Sequence, residues 1–255
     1  MTAPLFFADA ARLRAANIGD VVLLDGPEGR HAATVRRLTA GEKLDLSDAE
    51  GLLCSAVVAA VSGQVIEARI VARVEIARPR PRLIVVQALA KGDRDERAVE
   101  TMTEVGVDAI VPWQASRSVV RWDPARAAKG VTRWRATARE AAKQSRRAWM
   151  PEVADPESTE QVVARLRAAS ASGLALVLHE SAARPLQEIA SVGIAEVVMV
   201  VGPEGGVSDD ELAAFEAAGA VPVRLGPTVL RTSTAGTVAA AVVLASSDRW
   251  AASAT

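Results

Sequence analysis

The chain has 255 residues and a formal net charge of −1, and half of its residues are apolar. This composition supports one large or two modest hydrophobic cores and excludes wholesale disorder. A single cysteine, Cys54, excludes an intramolecular disulfide and a cysteine-ligated zinc cluster, and with only His31 and His179 as histidines we expect no metal site. The sequence has no run of eighteen uncharged apolar residues, and its N-terminus does not resemble a signal peptide. We therefore expect a soluble cytoplasmic protein.

Short β-like runs fill the first third of the chain. The predicted strands are Leu5–Phe7, Val21–Leu24, Lys43–Leu46, Leu52–Ala60 and Val65–Ile76, and one helical stretch covers Gly29–Leu38. Short strands separated by Gly or Asp are typical of small barrels. Two prolines at 79 and 81, within Arg78-Pro79-Arg80-Pro81-Arg82, predict an extended linker over 78–82, because neither a helix nor a central strand tolerates them. We therefore predict a β-barrel domain over 1–77.

After the linker, apolar runs alternate with helical stretches over 83–255. The predicted strands are Leu83–Leu89, Ala109–Trp113, Leu174–Leu178, Val197–Val201 and Val221–Leu225. The predicted helices are Arg94–Val105, Pro124–Arg147, Thr159–Ala169, Arg184–Ala190, Ser208–Ala217 and Thr234–Ala245. This alternation predicts a parallel α/β sheet with helical crossovers.

A glycine-rich turn follows the apolar run that ends at Val201. It reads Gly202-Pro203-Glu204-Gly205-Gly206, and Ser208 with Glu211 then forms the pattern of a helix-capping box. Glycines allow a backbone to approach a ligand closely and to offer N–H donors at the carboxyl end of a strand. No Gly-Lys-Ser/Thr follows, and the G-x-G-x-x-G spacing is absent, so this is neither a P-loop nor a dinucleotide fingerprint. The segment is either a ligand-binding loop or a simple tight turn.

A second turn of this kind follows the run that ends at Leu225. After Gly226-Pro227 and a short loop, Thr232, Ser233 and Thr234 precede an Ala- and Val-rich helix, and we expect their hydroxyl groups to cap it. Arg231 is the only charged residue between Arg224 and Asp248. A cation beside a buried helix start is unfavourable without an anion, which favours a functional role for Arg231 over an ion pair with a nearby glutamate. The two turns and the loop at 178–180 should meet at one sheet edge.

Positive charge is concentrated in the middle of the chain. Residues 69–150 carry 18 basic and 9 acidic side chains, a net charge of +9. The densest part is 133–147, with Arg133, Arg135, Arg139, Lys143, Arg146 and Arg147 against Glu140 alone. Such a patch favours a polyanion such as RNA, although a solvated helix face has the same pattern.

Together these motifs resemble the SPOUT class of S-adenosylmethionine-dependent RNA methyltransferases, and more closely its RsmE branch, the 16S ribosomal RNA (uracil-N3)-methyltransferases. The resemblance covers nearly the full chain and depends mainly on 202–206 with Ser208 and Glu211, and on 225–227 with 230–232 and 234–235. It implies an α/β fold in which a SPOUT-type C-terminal domain, with a parallel sheet and a deep trefoil knot, follows a small PUA-like β-barrel that binds RNA. It also implies a homodimer in which the partner completes each site.

The resemblance further implies a cofactor, a substrate and the residues that contact them. S-adenosyl-L-methionine would bind in the knot loops, and the product would be 3-methyluridine in the decoding region of 16S ribosomal RNA within the small ribosomal subunit. The residues implied for the cofactor are Leu178, His179, Glu180, Val201, Gly202, Pro203, Glu204, Gly205, Gly206, Leu225, Gly226, Leu230, Thr232, Ser233, Thr234 and Ala235. The residues expected at RNA are His31, Arg36, Arg37, Lys91, Arg94, Arg139, Lys143, Gln144, Arg146 and Arg147.

The chemistry of uridine suggests roles for two residues of these motifs. N3 of uridine carries a proton and is a poor nucleophile until it loses it, and the resulting negative charge spreads over O2 and O4. We expect Arg231 to stabilise that charge or orient the base, whereas Glu204 either accepts the proton, holds the cofactor or braces its loop. Methylation at C5 usually proceeds through a cysteine adduct. Because Cys54 lies in the predicted barrel, where we expect it to pack in the core, N3 is favoured over C5.

Two other functions are compatible with the sequence. The chain could be a ribosomal RNA-binding or assembly factor without catalytic activity, although a pure binder has no need of an intact cofactor pocket. It could also be a SPOUT methyltransferase that acts on transfer RNA or on another base. The barrel-first order and the 31–37 segment favour the ribosomal branch.

Overall fold

The computed structural model describes residues 3–189 and 192–250, which divide into two compact units. The first unit ends at Arg78 and also includes Ala142–Met150, and the second comprises Pro79–Ala141 and the chain from Pro151 onward. The predicted second domain runs over 83–255 without interruption, so the grouping of Ala142–Met150 with the first unit differs from the expectation. Across these described ranges, no helix combines the length and the apolar composition that crossing a bilayer needs.

The first unit is built around a five-stranded sheet. Its strands are β1 (Leu5–Phe7), β2 (Val21–Leu24), β3 (Lys43–Ser47), β4 (Leu52–Ser62) and β5 (Val65–Glu75), in the order β1-β3-β4-β5-β2. Only β1 and β3 pair in parallel, and the other pairs are antiparallel. Alternate residues such as Leu44 and Leu46 are buried in the core. All five predicted strands are confirmed, with ends within two residues.

The helical part of the first unit differs from the prediction. Helix α1 (Ala10–Ala15) is not predicted, although Asp9 caps it by accepting a hydrogen bond from Arg12 N. Helix α2 (Gly26–Arg30) continues directly into a π-helical turn over His31–Val35. It begins earlier than the predicted Gly29 because Pro27 suits the first turn of a helix. The helical stretch ends at Val35, before the predicted Leu38, because Arg37 adopts a left-handed φ of 53° that a helix cannot continue through.

Cys54 packs in the core of this sheet, as the sequence predicts. It lies on β4 with its side chain fully buried, and the thiol is free of any disulfide. Burial raises the pKa of the Cys54 thiol, and the nearby Arg73 offsets this only in part. A buried thiol of raised pKa is a poor nucleophile, which is consistent with a packing role for Cys54.

The segment Ala142–Met150 contributes both apolar and charged groups to the first unit. Ala142 packs against Leu5 and Phe7 of β1. Lys143 Nζ lies 3.1 Å from Glu28 Oε2, and both side chains are nearly buried. Removing one partner of such a pair is destabilising, because the other charge loses a counter-charge while it stays nearly buried.

The second unit contains a six-stranded sheet in which every neighbouring pair is parallel. Its strands are β6 (Arg82–Ala88), β7 (Ala109–Trp113), β8 (Glu152–Val153), β9 (Leu174–Leu178), β10 (Glu196–Val201) and β11 (Val221–Val223), in the order β11-β9-β10-β6-β7-β8. Side chains of α3 (Arg94–Val105), α4 (Pro124–Gln144) and α7 (Thr232–Ala245) pack on one face. Those of α5 (Thr159–Ser172) and α6 (Asp209–Ala217) pack on the other. The predicted parallel α/β sheet is confirmed.

Two predicted features of this unit differ from the structure. The two-residue strand β8 is not predicted, and it pairs with β7. The helix predicted over Arg184–Ala190 is wrong: only Leu186–Glu188 form a single 3₁₀ turn, and Ala190 lies outside the described residues. Pro185 is extended and pairs with Arg224, whose carbonyl accepts a hydrogen bond from Leu186 N, and this bond to the residue after β11 replaces the start of the predicted helix. The deep trefoil knot stays a prediction.

Candidate active site

The carboxyl ends of β9, β10 and β11 meet at one edge of the parallel sheet, as the sequence predicts. The loops that leave them enclose a cleft of about 530 Å³. Ligands of open α/β sheets bind at this edge, and the volume is that of a typical small-molecule site. The predicted cofactor residues that line the cleft are Leu178, His179, Glu180, Val201, Gly202, Pro203, Glu204, Gly205, Gly206, Leu225, Gly226, Leu230, Thr232 and Ala235. Ser233 and Thr234 do not line it: Ser233 is buried in the first turn of α7, and Thr234 is exposed.

The glycine-rich loop after β10 is shaped by backbone constraints at two positions. Gly206 has a φ of 72°, the left-handed region that favours glycine, and its N–H donates to the Pro203 carbonyl to close the turn. A Cβ at Gly205 would lie 3.2 Å from the Arg117 carbonyl oxygen, closer than ordinary contact. The loop therefore passes directly against the segment that follows β7, and a larger residue at either position would displace it.

Glu211 fixes the end of this loop. Its Oε2 accepts hydrogen bonds from Ser208 N at 3.0 Å and Ser208 Oγ at 2.9 Å, while Glu211 N donates to Ser208 Oγ, so the predicted capping box is confirmed. Its Oε1 accepts from Ser116 N at 2.7 Å and from Thr159 Oγ1 at 3.2 Å. Burial raises the pKa of Glu211, but these donors favour the charged carboxylate more strongly, so its pKa lies below the ordinary value.

We expect Glu211→Gln to destabilise the fold in a pH-dependent manner. A carboxylate whose pKa is lower in the folded state contributes stability above its unfolded pKa of about 4.3, and loses that contribution as the pH falls further. The variant should lower the free energy of unfolding by about 1.5–3 kcal/mol at pH 7, the range for hydrogen bonds to charged groups. Urea titrations should show the gap to wild type narrowing below about pH 4.3. Glu216→Gln, an exposed change on the same helix, is the control; a gap independent of pH would contradict the assignment.

The start of α7 does not have the cap that the sequence predicts. Arg231 occupies the N-cap position, its side chain makes no capping hydrogen bond, and its carbonyl accepts from Thr234 N and Ala235 N. Thr232 Oγ1 instead donates to the Gly202 carbonyl at 2.7 Å, which joins the two cleft loops. The prediction that Thr232, Ser233 and Thr234 cap this helix is therefore wrong, because the tertiary acceptor competes for the Thr232 hydroxyl.

Arg231 projects from this helix start at the cleft. Its side chain is exposed, and in the described part of the chain its guanidinium forms no ion pair or hydrogen bond. The ion pair with a nearby glutamate, which the sequence leaves open, is therefore not present. The burial argument for its function is also wrong, since this cation remains in contact with water. What supports a role in catalysis is its position, as an unpaired cation in the wall of the cleft.

Glu204 of the glycine-rich loop is held by two hydrogen-bond donors from the segment that follows β6. Its Oε1 accepts from Arg94 Nη1 at 2.9 Å and from Lys91 N at 3.1 Å. Burial raises the pKa of Glu204, but its own backbone N–H and these two donors outweigh burial and lower the pKa overall. A carboxylate of lowered pKa binds protons weakly. The geometry therefore favours a bracing role for Glu204 over that of a general base.

Sequence reasoning missed several residues of the cleft. Arg117 lies in the loop after β7 and donates through Nη1 to the Val207 carbonyl at 3.3 Å. Arg224 lies at the end of β11 and donates to the Ala182 carbonyl at 3.3 Å. The other residues missed are Val207 and Val223, whereas Pro227, Thr228 and Val229 lie in the loop after Leu225 that the resemblance already implies for the cofactor. Proximity to the 225–231 motif could have indicated Arg224, and the Ser116-Arg117-Ser118 segment, which also resembles the family, could have indicated Arg117.

The residues predicted to contact RNA do not form one free basic surface. Lys143 is buried against Glu28, and His31 is half-buried, with Nδ1 3.4 Å from Lys143 Nζ. Expecting Lys143 at RNA is therefore wrong, because its charge is already compensated. Arg94 lines the cleft as the partner of Glu204.

The remaining predicted RNA residues are more accessible. Arg36, Arg37, Lys91, Gln144 and Arg146 are exposed, and Arg139 and Arg147 are half-buried. Arg146 donates to the Ala3 carbonyl, and both half-buried arginines have partners within the structure. Two further cations of the 133–147 segment also have partners.

Those two cations are Arg133, paired with Glu96, and Arg135, paired with Asp155. The 133–147 segment is therefore in part a helix surface with paired charges, the alternative that the sequence leaves open. Among residues 3–189 and 192–250, no group of three or more His, Cys, Asp or Glu is arranged to hold a metal ion.

Comparison with known proteins assigns both units to families. Residues 78–244 match the RNA methyltransferase domain, and residues 24–71 match the RNA methyltransferase PUA domain. Ribosomal RNA small subunit methyltransferase E of Mycobacterium bovis is 49% identical over 255 residues, 100% of this chain and 96% of that protein. The protein of the same name from Bacillus subtilis is 30% identical over 220 residues, 83% of this chain and 85% of that protein.

Solved structures support the same assignment. A methyltransferase from Legionella pneumophila, in complex with bound SAM, has a TM-score of 0.84 and 28% identity over 97% of this chain and 99% of that one. A ribosomal RNA small subunit methyltransferase E from Neisseria gonorrhoeae, bound to S-adenosyl methionine, has a TM-score of 0.83 and 27% identity over 96% and 98% of the two chains. Because a matching domain family spans most of the chain and a relative is 49% identical along all of it, this chain belongs to the RNA methyltransferase family of ribosomal RNA small subunit methyltransferase E.

Proposed function

We propose that the chain transfers a methyl group from S-adenosyl-L-methionine to N3 of a specific uridine in the decoding region of 16S ribosomal RNA, within the small ribosomal subunit. The observation that carries the proposal is the cleft at the carboxyl ends of β9, β10 and β11, with the unpaired Arg231 in its wall. The family membership and the two SAM-bound relatives support the cofactor.

The residues of the cleft fit this cofactor in size and in chemistry. The volume of about 530 Å³ suits a nucleoside with an amino-acid chain. Leu178, Val201 and Leu225 supply apolar surface for an adenine ring, and the backbone of 202–206 and 225–230 supplies polar groups for its edge. The carboxylate of Glu180, which is exposed in the cleft wall, suits the amino group of such a ligand. When bound, S-adenosyl-L-methionine supplies an electrophilic methyl group on a positively charged sulfur.

The main catalytic requirement on the protein is to stabilise deprotonated uracil. Loss of the N3 proton places negative charge on O2 and O4, and a guanidinium with no other partner can donate to such oxygens. Arg231 meets that condition among the described residues of the cleft. We assign to it the stabilisation and orientation of the uracil anion, while Glu204 holds Arg94 and the 202–206 loop in place.

The surroundings of the reaction follow from the same proposal. Exposed Arg36 and Arg37 on the first unit suit phosphate contacts. Helix α7 leaves Val238 and Val242 only partly buried within one chain, and a second copy in a homodimer would cover them. Small ribosomal subunits are cytoplasmic, so we place the protein there.

The test is methyl transfer from labelled S-adenosyl-L-methionine to 30S subunits that lack the modification, followed by nucleoside mass spectrometry. Formation of 3-methyluridine at one site supports cofactor, reaction and substrate together. Label on another base, or on transfer RNA offered in parallel, contradicts the N3 assignment and favours the related methyltransferases. Failure of the cofactor to raise the unfolding temperature, together with no transfer, favours a non-catalytic RNA-binding factor.

A further inference from the structure

Gln87 is a polar side chain in the apolar centre of the second unit, outside the sequence motifs and outside the cleft wall. It lies near the carboxyl end of β6, opposite Val201 in the strand register, and is 0% exposed. Leu83 and Val85, at alternate positions of the same strand, belong to the hydrophobic core packed by α3 and α7. Burying an amide among apolar groups is unfavourable unless its hydrogen bonds are satisfied, so a glutamine at this position needs a specific reason.

The reason is a short chain of hydrogen bonds that leads to the cleft. Gln87 Nε2 donates to Thr232 Oγ1 at 2.9 Å, and Thr232 Oγ1 donates to the Gly202 carbonyl at 2.7 Å. Gly202 and Thr232 both line the cleft, one in the loop after β10 and the other at the start of α7. The chain thus connects the central strand of the sheet to the two loops on which the cofactor assignment depends.

The direction of these hydrogen bonds is fixed by counting donors. A threonine hydroxyl has one proton, so it can donate to Gly202 only if it accepts from Gln87. The second N–H of Gln87 Nε2 donates to the Ala88 carbonyl at 3.2 Å, which places the amide nitrogen on this side. The reversed amide would compete for the Thr232 proton and release the Gly202 carbonyl.

The carbonyl oxygen of the Gln87 amide has no hydrogen-bond partner among the described residues, which makes this arrangement unfavourable for stability. Gln87 Oε1 is buried and has no hydrogen-bond partner in the described structure. A Cβ at Gly236 would lie 3.4 Å from Oε1 and 2.8 Å from Met102 Sδ, so the glycine makes room for both side chains beneath α7. An unsatisfied buried oxygen is destabilising. The glutamine therefore contributes a donor to Thr232 at the expense of an unpaired acceptor, which packing alone does not explain.

We infer that Gln87 is a positioning residue for the cofactor cleft, which commits the Thr232 hydroxyl to the Gly202 carbonyl and so fixes the two loops against each other. The inference rests on the proposed function, because these are the loops assigned to S-adenosyl-L-methionine. Gln87 acts through Thr232 and does not itself line the cleft. Its effect should therefore fall on cofactor affinity more than on turnover.

A double-mutant cycle tests the inference. Gln87→Met retains the volume without a donor, and Thr232→Val removes the hydroxyl. Each should raise the Kd and KM for S-adenosyl-L-methionine about tenfold, the equivalent of one hydrogen bond of about 1.4 kcal/mol, with a smaller change in kcat. Because the chain of hydrogen bonds acts as a unit, the double variant should bind no more weakly than either single one. Thr232→Ser keeps the hydroxyl and should recover most of the cofactor affinity that Thr232→Val loses.

The controls separate positioning from stability. Val85→Ala, on the same strand face, should lower the unfolding temperature and leave the Kd unchanged. If Gln87→Met does not fold, Gln87→Leu takes its place, since leucine is also apolar and cannot donate to Thr232. Provided that wild type binds the cofactor, two results would overturn the inference. One is a Gln87 variant with unchanged cofactor affinity, and the other is a double variant whose loss of affinity is the sum of the two single losses. No cofactor binding by wild type overturns the cofactor assignment and this inference with it.

Discussion

Replacing Arg231 with alanine should lower kcat/KM for methyl transfer about 10²- to 10³-fold, the usual loss when one donor to a developing anion is removed. Arg231 is the cleft cation that the described structure leaves without a partner, so its loss removes charge stabilisation without exposing a buried group. Cofactor affinity should therefore stay within a few-fold of wild type, as measured by calorimetry. Arg231→Lys keeps the charge but not the planar fork and should recover only part of the rate.

Arg167→Ala is the matched control for this prediction. Arg167 is an exposed arginine on α5 that does not line the cleft, so its removal changes the net charge equally and should leave the rate unaltered. A turnover for Arg231→Ala equal to that of Arg167→Ala would contradict the role that we assign. If cofactor affinity and rate fell by the same factor, Arg231 would be assigned to cofactor binding and not to the substrate.

The largest effect on stability should follow from Arg249→Ala. Arg249 Nη1 donates to Asp108 Oδ2 at 2.6 Å and to the Pro81 carbonyl at 3.0 Å, and Nη2 donates to the Gly106 carbonyl at 3.0 Å. Both charged side chains are only 9% exposed. Removing the arginine leaves a nearly buried carboxylate without its counter-charge, and we expect a loss of about 3–5 kcal/mol in the free energy of unfolding.

Urea titrations of the Arg249→Ala and Arg126→Ala variants measure this difference. Arg126 pairs with Asp123 on the surface of the same unit, with side chains 73% and 56% exposed. Exposed pairs contribute at most about 1 kcal/mol, and the alanine is a good helix former. Equal shifts in the two titrations would show that burial does not strengthen the Arg249 contacts.

The features that the sequence predicts correctly are those whose cause is local. Ser208 and Glu211 form a capping box because their spacing of three residues places each side chain on the other's backbone N–H. Strand β10 ends where the glycine-rich 202–206 segment begins, and the cleft at the carboxyl ends of β9, β10 and β11 follows from the alternation of apolar runs with helices. Most residues of the cleft wall were therefore predictable, whereas their contacts with the cofactor stay a prediction.

The features that the sequence does not predict depend on partners distant in the chain. Thr232 has the composition of a helix cap, but its hydroxyl bonds a carbonyl 30 residues earlier. Lys143 belongs to a basic run, yet its charge is compensated by Glu28 in another part of the sequence. The segment after Arg184 has helical composition, but its backbone bonds to Arg224. In each case a tertiary contact competes with the local preference and replaces it.

The position of Ala142–Met150 in the sequence has a consequence for synthesis of the protein. A domain at the N-terminus ordinarily folds first, as soon as its own residues have left the ribosome. Here Ala142 completes the packing around Leu5 and Phe7, and Lys143 neutralises Glu28, but both follow β6, α3, β7 and most of α4 in the chain. The N-terminal unit therefore cannot complete its packing around Leu5 and Phe7 until more than half of the protein has been translated.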